Sequence, residues 1–279
     1  MKKEDFNKYY RLLPRQNWLA QKERELICLF ESCASSEQKD LIFNLLEDFR
    51  YINNDLLTRY LELMADYIID ETGFNIGETQ VVGMTMDSNP DSSQWILQLL
   101  KPILSRKGWN NVKLTTSFHR GVKKLNREGL TKLVLVDEFI GSGQSIEERI
   151  NYLNEHAKVD YDIKACFIAG MEEGIQRVSK SFSNLRCFIP LKKGISDKFT
   201  GNEREEALLN MTNLESTLLQ TINNNNLADY HLGYNQVEAL YSSYGNAPNS
   251  LFPYFWWPYD IHKEFRNPLL TRNEEGFGL

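Results

Sequence analysis

The sequence has 279 residues, of which 42% are hydrophobic, a formal net charge of −6 and an isoelectric point near 5.4. These values allow a well-buried core in one or two domains, and they argue against bulk electrostatic binding to nucleic acid or to an anionic membrane. The start of the sequence is polar and no run of about 18 apolar residues occurs, so we expect neither a signal peptide nor a bilayer-spanning helix.

The first part of the chain, residues 1 to about 72, is predicted to be helical. Apolar residues recur at spacings of three and four over residues 40–70, and Gly73 marks the end of this pattern. The four cysteines are Cys28, Cys33, Cys166 and Cys187, and they form no C-x-x-C pair. We therefore expect reduced thiols in a cytoplasmic protein, with a zinc site or a disulfide as the alternative.

From residue 80 the pattern changes to short apolar runs that alternate with helical segments. Ser92 or Ser93 can cap the first of these helices. We predict helices at 94–104 and 145–157, and strands at 80–86, 111–116, 132–137, 163–170 and 185–190. This alternation predicts an α/β fold with a mostly parallel sheet of about five strands flanked by helices.

The C-terminal part begins with a predicted helix at 203–222 and an asparagine-rich loop at 223–226. From about residue 229 the sequence is rich in Tyr, Phe, Trp, Pro and Asn and shows little periodicity. We divide the chain into an N-terminal helical region at 1–74, an α/β core at 75–200, and a C-terminal helix with an aromatic tail at 201–279.

The end of the strand at 132–137 carries the main functional signal. Four apolar residues lead into Asp137 and Glu138, and a Gly-Ser-Gly turn follows at 141–143. The amides of such a turn, with the N-terminus of the next helix, can bind a phosphate. Two acids beside that point would repel a bare phosphate, but they can accept hydrogen bonds from vicinal hydroxyls. A ribose 5-phosphate has both groups.

Two alternatives to this interpretation exist. The turn supplies two glycines of a dinucleotide-binding G-x-G-x-x-G pattern, with Ile146 in place of the third, and Asp160 and Asp162 lie near the position of its ribose-binding acid. However, the two acids after the strand would repel a pyrophosphate there. The other alternative is a solvated strand end followed by a capped helix, without a ligand.

The stretch at 133–146 (LVLVDEFIGSGQSI) resembles the ribose-phosphate signature of type I phosphoribosyltransferases. The resemblance implies that Asp137 and Glu138 lie along the 2- and 3-hydroxyls of phosphoribosyl pyrophosphate. It implies Mg²⁺ as a cofactor, carried by the substrate and contacted by Asp137 if by any side chain. It also implies that the 5-phosphate is held by a loop made of Gly141, Ser142, Gly143, Gln144 and Ser145.

The same resemblance places a pyrophosphate-binding turn after the first sheet strand. Ser88 and Asn89 occupy that place and could donate backbone amides. Asp87 and Asp91 depart from the pattern, because acids there disfavour pyrophosphate unless Mg²⁺ bridges the charges. A turn without a ligand is the alternative.

The resemblance also implies a mobile loop that covers the transition state, and residues 115–129 occupy the matching place. Arg120, Lys123 and Lys124 are then candidates to neutralise the departing pyrophosphate, which is the main catalytic demand. Lys193, just after the last strand, could reach an anion at the carboxyl end of the sheet. Ordinary solvated basic residues are the alternative for all four.

The aromatic tail is similar to the end of a divergent phosphoribosyltransferase-like family of bacterial conflict and antiphage systems. The matching residues are Asn246, Pro248, Asn249, Phe255, Trp256 and Trp257. This similarity implies a rigid hood over the sheet, in which Asn249 and Trp256 contact a base or another acceptor. The alternatives are that the Trp pair fills the core of the tail and that His231, a candidate general base, is a satisfied structural histidine.

Together these features predict an enzyme that binds phosphoribosyl pyrophosphate or a nucleotide and transfers or cleaves the ribosyl-phosphate group. The resemblance of the tail implies an antiphage effector with a protein partner encoded in the same operon. A catalytically silent nucleotide sensor, a structural adaptor and a nucleotide hydrolase are the alternatives.

Overall fold

The computed structural model describes residues 3–86 and 91–272. The α-helices in that part of the chain are α1 (Lys3–Leu12), α2 (Glu23–Glu31), α3 (Ser36–Glu47), α4 (Asn54–Asp66), α5 (Ser92–Arg106), α6 (Phe118–Glu128), α7 (Gln144–His156), α8 (Glu172–Ser179) and α9 (Gly201–Glu215). The strands are β1 (Arg50–Ile52), β2 (Thr79–Gly83), β3 (Lys113–Thr115), β4 (Lys132–Ile140), β5 (Asp162–Met171), β6 (Leu185–Leu191), β7 (Thr221–Ile222), β8 (Asn225–Asn226) and β9 (Tyr241–Ser243). Among the described residues, no helix combines the length and the apolar character needed to cross a membrane.

The chain packs into two compact units. One contains residues 55–191, and the other contains residues 1–54 together with residues 192–279. This grouping differs from the three predicted segments, because α1–α3 share a unit with the C-terminal tail whereas α4 belongs to the unit with the sheet.

The unit at 55–191 contains a five-stranded parallel sheet with the strand order β3-β2-β4-β5-β6. Its central strands are nearly continuous apolar runs, and residues 133–136 and 165–169 are buried. Such runs are typical of strands covered on both faces. The predicted α/β fold class, with about five parallel strands flanked by helices, is confirmed.

Helices cover both faces of this sheet. Gly121 of α6 packs directly against the Val82 side chain, whereas Gly83 faces Ser93 and Leu97 of α5. Consecutive residues of a strand point to opposite faces, so α5 and α6 lie on opposite sides of β2. Helices α7 and α8 share the hydrophobic cluster of α6 and therefore lie on its side.

The order of the strands reverses between β2 and β4. The chain passes from β2 through α5 to β3 on one side, and then returns across β2 to β4, β5 and β6 on the other. The connections that leave the carboxyl ends of β2 and β4 therefore run to opposite faces of the sheet. Open α/β sheets bind their ligands in the crevice at such a switch point.

The turn after β4 is packed closely against the start of α8. A Cβ atom on Gly174 would lie 2.0 Å from the carbonyl oxygen of Gly141 and 3.1 Å from the amide nitrogen of Gly143. Gly143 itself has φ of 82°, a left-handed conformation that residues other than glycine seldom adopt. Glycine at both positions allows the turn to approach the helix backbone to backbone.

The other unit joins the two ends of the chain. Strand β1 pairs in parallel with β9, so that Arg50 lies opposite Tyr241 and Ile52 opposite Ser243. This pairing interrupts the helical pattern predicted over residues 40–70, because residues 50–52 extend to bond with a strand about 190 positions away. The prediction of helix through these residues was therefore wrong.

An aromatic cluster near the C-terminus forms much of the core of this unit. Trp256 is 1% exposed and Trp257 is fully buried, and their ring centroids lie 5.3 Å apart. Each indole N–H donates to a backbone carbonyl, that of Leu251 for Trp256 and that of Leu219 for Trp257. Buried indoles with satisfied N–H groups are stable core residues.

We expect Gly174→Ala to lower the free energy of unfolding by about 1–3 kcal/mol or more, because the added Cβ meets backbone atoms that cannot rotate away. Urea denaturation of the variant and of the wild type measures the difference. Gly77→Ala is the matched control, since a Cβ there meets nothing within 4 Å. Equal unfolding midpoints for Gly174→Ala and Gly77→Ala would contradict the close packing of the turn on α8.

Candidate functional site

The candidate site lies at the carboxyl ends of β2 and β4, where the strand order reverses. Asp137 and Glu138 lie near the end of β4, and Gly141–Gly143 connect β4 to α7. After β2 the described chain resumes at Asp91, which directly precedes α5. The predicted acid pair and the predicted phosphate loop therefore lie at the same end of the sheet.

Asp137 is half-buried, and its carboxylate is held in place by two donors. The Ser92 hydroxyl donates to Oδ1 at 2.7 Å, and the Glu138 amide donates to the same oxygen at 2.7 Å. Burial raises the pKa of Asp137 to about 7, and the nearby Asp91 carboxylate adds to the rise. The Ser92 hydrogen bond, the Glu138 amide and the Arg149 guanidinium oppose it.

Glu138 differs from Asp137 in its exposure. Glu138 is 7% exposed. Because consecutive residues of a strand alternate, its side chain points to the face of the sheet opposite that of Asp137. Asp137 is consequently the member of the acid pair that is more accessible from solvent. The two adjacent acids could not be distinguished from the sequence pattern.

The N-terminus of α7 follows the glycine turn directly. Gly143 is the N-cap residue of α7, and without a side chain it cannot satisfy the amides of the first helical turn. The Ser142 hydroxyl is 3.5 Å from the Gln144 amide, a long contact, and Gln144 and Ser145 are exposed. Such an N-terminus, with its positive dipole end, is a suitable place for an anion.

Arg149, in the second turn of α7, is a site residue that the sequence analysis missed. Its Nε donates to the Met84 carbonyl oxygen at 2.8 Å, just beyond the end of β2. Its guanidinium group is largely buried, which lowers its pKa, but it remains a positive charge near Asp137. The one sequence signal that could have predicted Arg149 as a site residue was its position in the second turn of the helix after the phosphate loop.

Asp91, and not Ser92 or Ser93, caps α5. The Asp91 carboxylate accepts from the Gln94 amide at 3.1 Å and from the Ser93 hydroxyl at 2.7 Å. Ser92 is thereby available to bond to Asp137. The predicted serine cap was wrong because aspartate is an equally good cap and lies one residue nearer the loop.

The predicted mobile loop is also corrected. Residues 118–128 form α6, because Phe118, Val122 and Leu125 recur at helical spacing and are buried against the sheet. Arg120 and Lys123 are exposed on this helix, and Lys124 donates to the Thr115 hydroxyl at 3.0 Å. No described contact joins Arg120 or Lys123 to Asp137.

The remaining predicted residues lie in the other unit or outside the described residues. Ser88 and Asn89 lie outside the residues that the structure describes. Lys193 donates its backbone amide to Asp197, and the Asn249 carbonyl accepts from the Tyr234 amide. Trp256 is wrong as an open stacking surface, because its ring is buried against Tyr230, Trp257 and Arg272.

The described residues of this site fit Mg²⁺ as an ion carried by a ligand. Within residues 3–86 and 91–272, no group of three or more His, Cys, Asp or Glu side chains could hold a metal. Asp137 can supply one carboxylate, and Mg²⁺ at phosphate sites commonly takes one or two carboxylates with the substrate phosphates and water. When bound, the ion would neutralise phosphate charge.

Comparison with protein families matches residues 16–272 to PRTase-CE. The match spans nearly the whole chain, and the chain belongs to the PRTase-CE family. Together with the strand order, this membership supports a type I phosphoribosyltransferase-like fold. Comparison with curated proteins found no match.

Several solved structures are similar to part of the chain. A hypothetical protein from Neisseria gonorrhoeae with bound ppGpp is 11% identical over 52% of this chain and 85% of that one, with a TM-score of 0.37. Hypoxanthine-guanine phosphoribosyltransferase from Schistosoma mansoni, in complex with IMP, is 18% identical over 50% and 65%, with a TM-score of 0.33. A purine phosphoribosyltransferase from Pyrococcus horikoshii is 13% identical over 50% and 87%, with a TM-score of 0.35.

The raised pKa of Asp137 predicts a pH dependence of stability. Between about pH 4 and pH 7 the folded chain keeps a proton that the unfolded chain releases, so rising pH destabilises the fold by up to ~1.4 kcal/mol per pH unit. The side chain of Asp137→Asn cannot ionise, so the free energy of unfolding of this variant should not decrease in this way as the pH rises. Urea denaturation of both proteins from about pH 5 to pH 8 measures the difference.

The matched control is Asp162→Asn, at the amino end of β5, which keeps Asp137 and should retain the wild-type pH dependence. Parallel stability curves for the wild type and Asp137→Asn would show that Asp137 does not titrate in this range.

Proposed function

We propose that the chain binds phosphoribosyl pyrophosphate, or a nucleotide, in the crevice between β2 and β4 and transfers or cleaves its ribosyl-phosphate group. The observation that carries this proposal is the position of Asp137 beside the N-terminus of α7, at the switch point of a parallel sheet. Membership of the PRTase-CE family supports a phosphoribosyltransferase-like function.

Asp137 is the main acceptor for the ribose hydroxyls in this proposal. Ser92 and the Glu138 amide both bond to Oδ1, and no contact to Oδ2 is present among the described residues. Oδ2 can therefore accept from a sugar hydroxyl while Oδ1 holds the side chain in position. Glu138 has a secondary role, because it is more deeply buried.

The 5-phosphate lies at the turn after β4. The amides of residues 141–145 and the first turn of α7 provide donors for its oxygens. The hydroxyls of Ser142 and Ser145 add side-chain donors, and exposed Gln144 lies at the rim.

The reaction breaks the bond between C1 of the ribose and pyrophosphate. The electron pair leaves with the pyrophosphate oxygen, and an acceptor attacks C1 from the opposite side, with inversion. Stabilising the departing charge is the main demand. Arg120 and Lys123 are candidates for this task, and Ser88 and Asn89 are candidates to bind the pyrophosphate before it leaves.

The biological setting is the bacterial cytoplasm during phage infection. The resemblance of the tail at residues 246–257 to phosphoribosyltransferase-like conflict proteins supports this part of the proposal. In that setting the chain is an effector, and a protein from the same operon restrains or activates it.

A catalytically silent sensor is the second candidate. The Asp91 carboxylate is close enough to Asp137 to raise its pKa, and it is fixed as the cap of α5. A negative charge at this place opposes a pyrophosphate group. A protein that binds a nucleotide here to regulate its partner, without breaking the bond, would tolerate this charge.

Calorimetric titration with phosphoribosyl pyrophosphate and Mg²⁺, with an assay of pyrophosphate release, tests the proposal. We expect saturable binding and release by the wild type. Asp137→Asn should weaken binding about tenfold to a hundredfold, because a charged hydrogen bond to the ligand is lost, and Glu138→Gln should have a smaller effect.

Asp162→Asn, an acid at the other end of the sheet, should bind like the wild type. Binding without release would favour the sensor. No binding by the wild type, or equal binding by the wild type and Asp137→Asn, would contradict the proposed site.

Cells that produce the chain provide a test of the reaction and its acceptor. We expect mass spectrometry of their nucleotides to show a lost or modified species compared with cells that produce Asp137→Asn/Glu138→Gln. Identical nucleotide profiles, at equal protein levels and after phage challenge, would contradict an active effector.

A further inference from the structure

A surface cavity of about 470 Å³ lies in the unit that contains the C-terminal tail. Its size is within the range of small-molecule sites. Its lining is polar and aromatic and consists of Ala228, Asp229, Tyr230, His231, Tyr234, Asn235 and Gln236. None of these residues has a role in the function proposed above.

His231, in the lining of this cavity, is paired with the buried Glu215 behind it. His231 Nδ1 lies 2.7 Å from Oε2 of Glu215, and the Leu232 amide donates to the same oxygen at 3.1 Å. Glu215 is 2% exposed, and its Oε1 has no hydrogen-bond partner among the described residues. Glu215 therefore orients the imidazole, and Nε2 is the ring nitrogen that remains to meet a ligand.

The backbone around the cavity is strained. Leu232, Asn235 and Gln236 have φ of 54°, 59° and 54°, in the left-handed region that residues other than glycine seldom adopt. Strain of this kind often occurs where a side chain must be presented to a ligand. Here it presents the exposed amides of Asn235 and Gln236 at the cavity.

The two tyrosine rings of the lining are held by neighbouring aromatic residues. The ring of Tyr230 packs edge-on against the buried Trp256 at 5.6 Å, and its hydroxyl donates to Asn225. Tyr234 lies 6.3 Å from Tyr230 between ring centroids and is 37% exposed. The buried aromatic cluster thus fixes one ring, and the other offers an open surface for stacking.

We infer that this cavity is a second ligand site, and that its ligand is an uncharged nucleoside. Tyrosine rings stack on a planar base, and asparagine and glutamine amides offer the paired donor and acceptor that a base edge requires. Asp229 and His231 can bond to sugar hydroxyls. No lysine or arginine lines the cavity in the part of the chain that the structure describes, and Asp229 opposes a phosphate.

Calorimetric titration of the full chain with adenosine, guanosine, cytidine and uridine tests this inference. We expect at least one of them to bind saturably, and its 5′-monophosphate to bind more weakly. His231→Asn keeps a donor near the position of Nδ1 but removes Nε2, and Asn235→Gly removes the amide while keeping the left-handed backbone. Each variant should weaken nucleoside binding about tenfold.

Two control variants complete the experiment. Asn223→Gly replaces another left-handed asparagine, with φ of 51°, that does not line the cavity, and it should bind like the wild type. Asp137→Asn should also leave nucleoside binding unchanged. A loss of nucleoside binding in Asp137→Asn would instead place the nucleoside at the crevice of the sheet and overturn the second site.

The inference would also be overturned by other outcomes. These are the absence of saturable binding by all four nucleosides, equal binding by Asn223→Gly, His231→Asn and Asn235→Gly, or tighter binding of the monophosphate. Thermal unfolding of each variant distinguishes lost binding from lost fold.

Discussion

The reversal of strand order between β2 and β4 is the constraint on which the proposed function depends. The chain leaves the two strands toward opposite faces of the sheet, so neither α5 nor α7 crosses the space above their carboxyl ends. A side chain from each of these helices nevertheless forms a hydrogen bond to the other strand or to the residue just after it. Ser92 at the start of α5 bonds to Asp137 of β4, and Arg149 of α7 bonds to the Met84 carbonyl after β2. These two hydrogen bonds fix both walls of the crevice.

Burial dominates the electrostatics of Asp137 at this crevice. Burial and Asp91 favour the protonated form of Asp137, whereas Ser92 and Arg149 favour the ionised form, and the resulting pKa is about 7. A ligand that brings hydroxyls to Asp137 and an anion to α7 would complete both sets of partners. A ligand with phosphate alone would leave the carboxylate facing another negative charge.

Local signals in the sequence were sufficient to predict the sheet and the position of the acid pair. An apolar run that ends in two acids and a glycine turn depends only on neighbouring residues, so its structure follows from the sequence pattern. The pairing of β1 with β9 could not be predicted in this way, because it joins segments about 190 residues apart. The bonds of Ser92 and Arg149 were missed for the same reason.

The aromatic tail illustrates a second limit. The resemblance of the tail implied a surface for a base, with a Trp pair that fills the core as the alternative. Which of the two holds depends on how the tail folds on itself and on the N-terminal helices. The polar segment beside it, at 228–236, lines a surface cavity. Composition alone cannot distinguish aromatic residues that fill a core from those that meet a ligand.

A crystal structure of the chain with ribose 5-phosphate tests the central claim most directly. The account predicts the phosphate at the amides of residues 141–145, with a ribose hydroxyl within about 2.7–3.2 Å of the Asp137 carboxylate. A sugar phosphate bound elsewhere on the chain, or bound in the crevice with its hydroxyls turned away from Asp137, would contradict it.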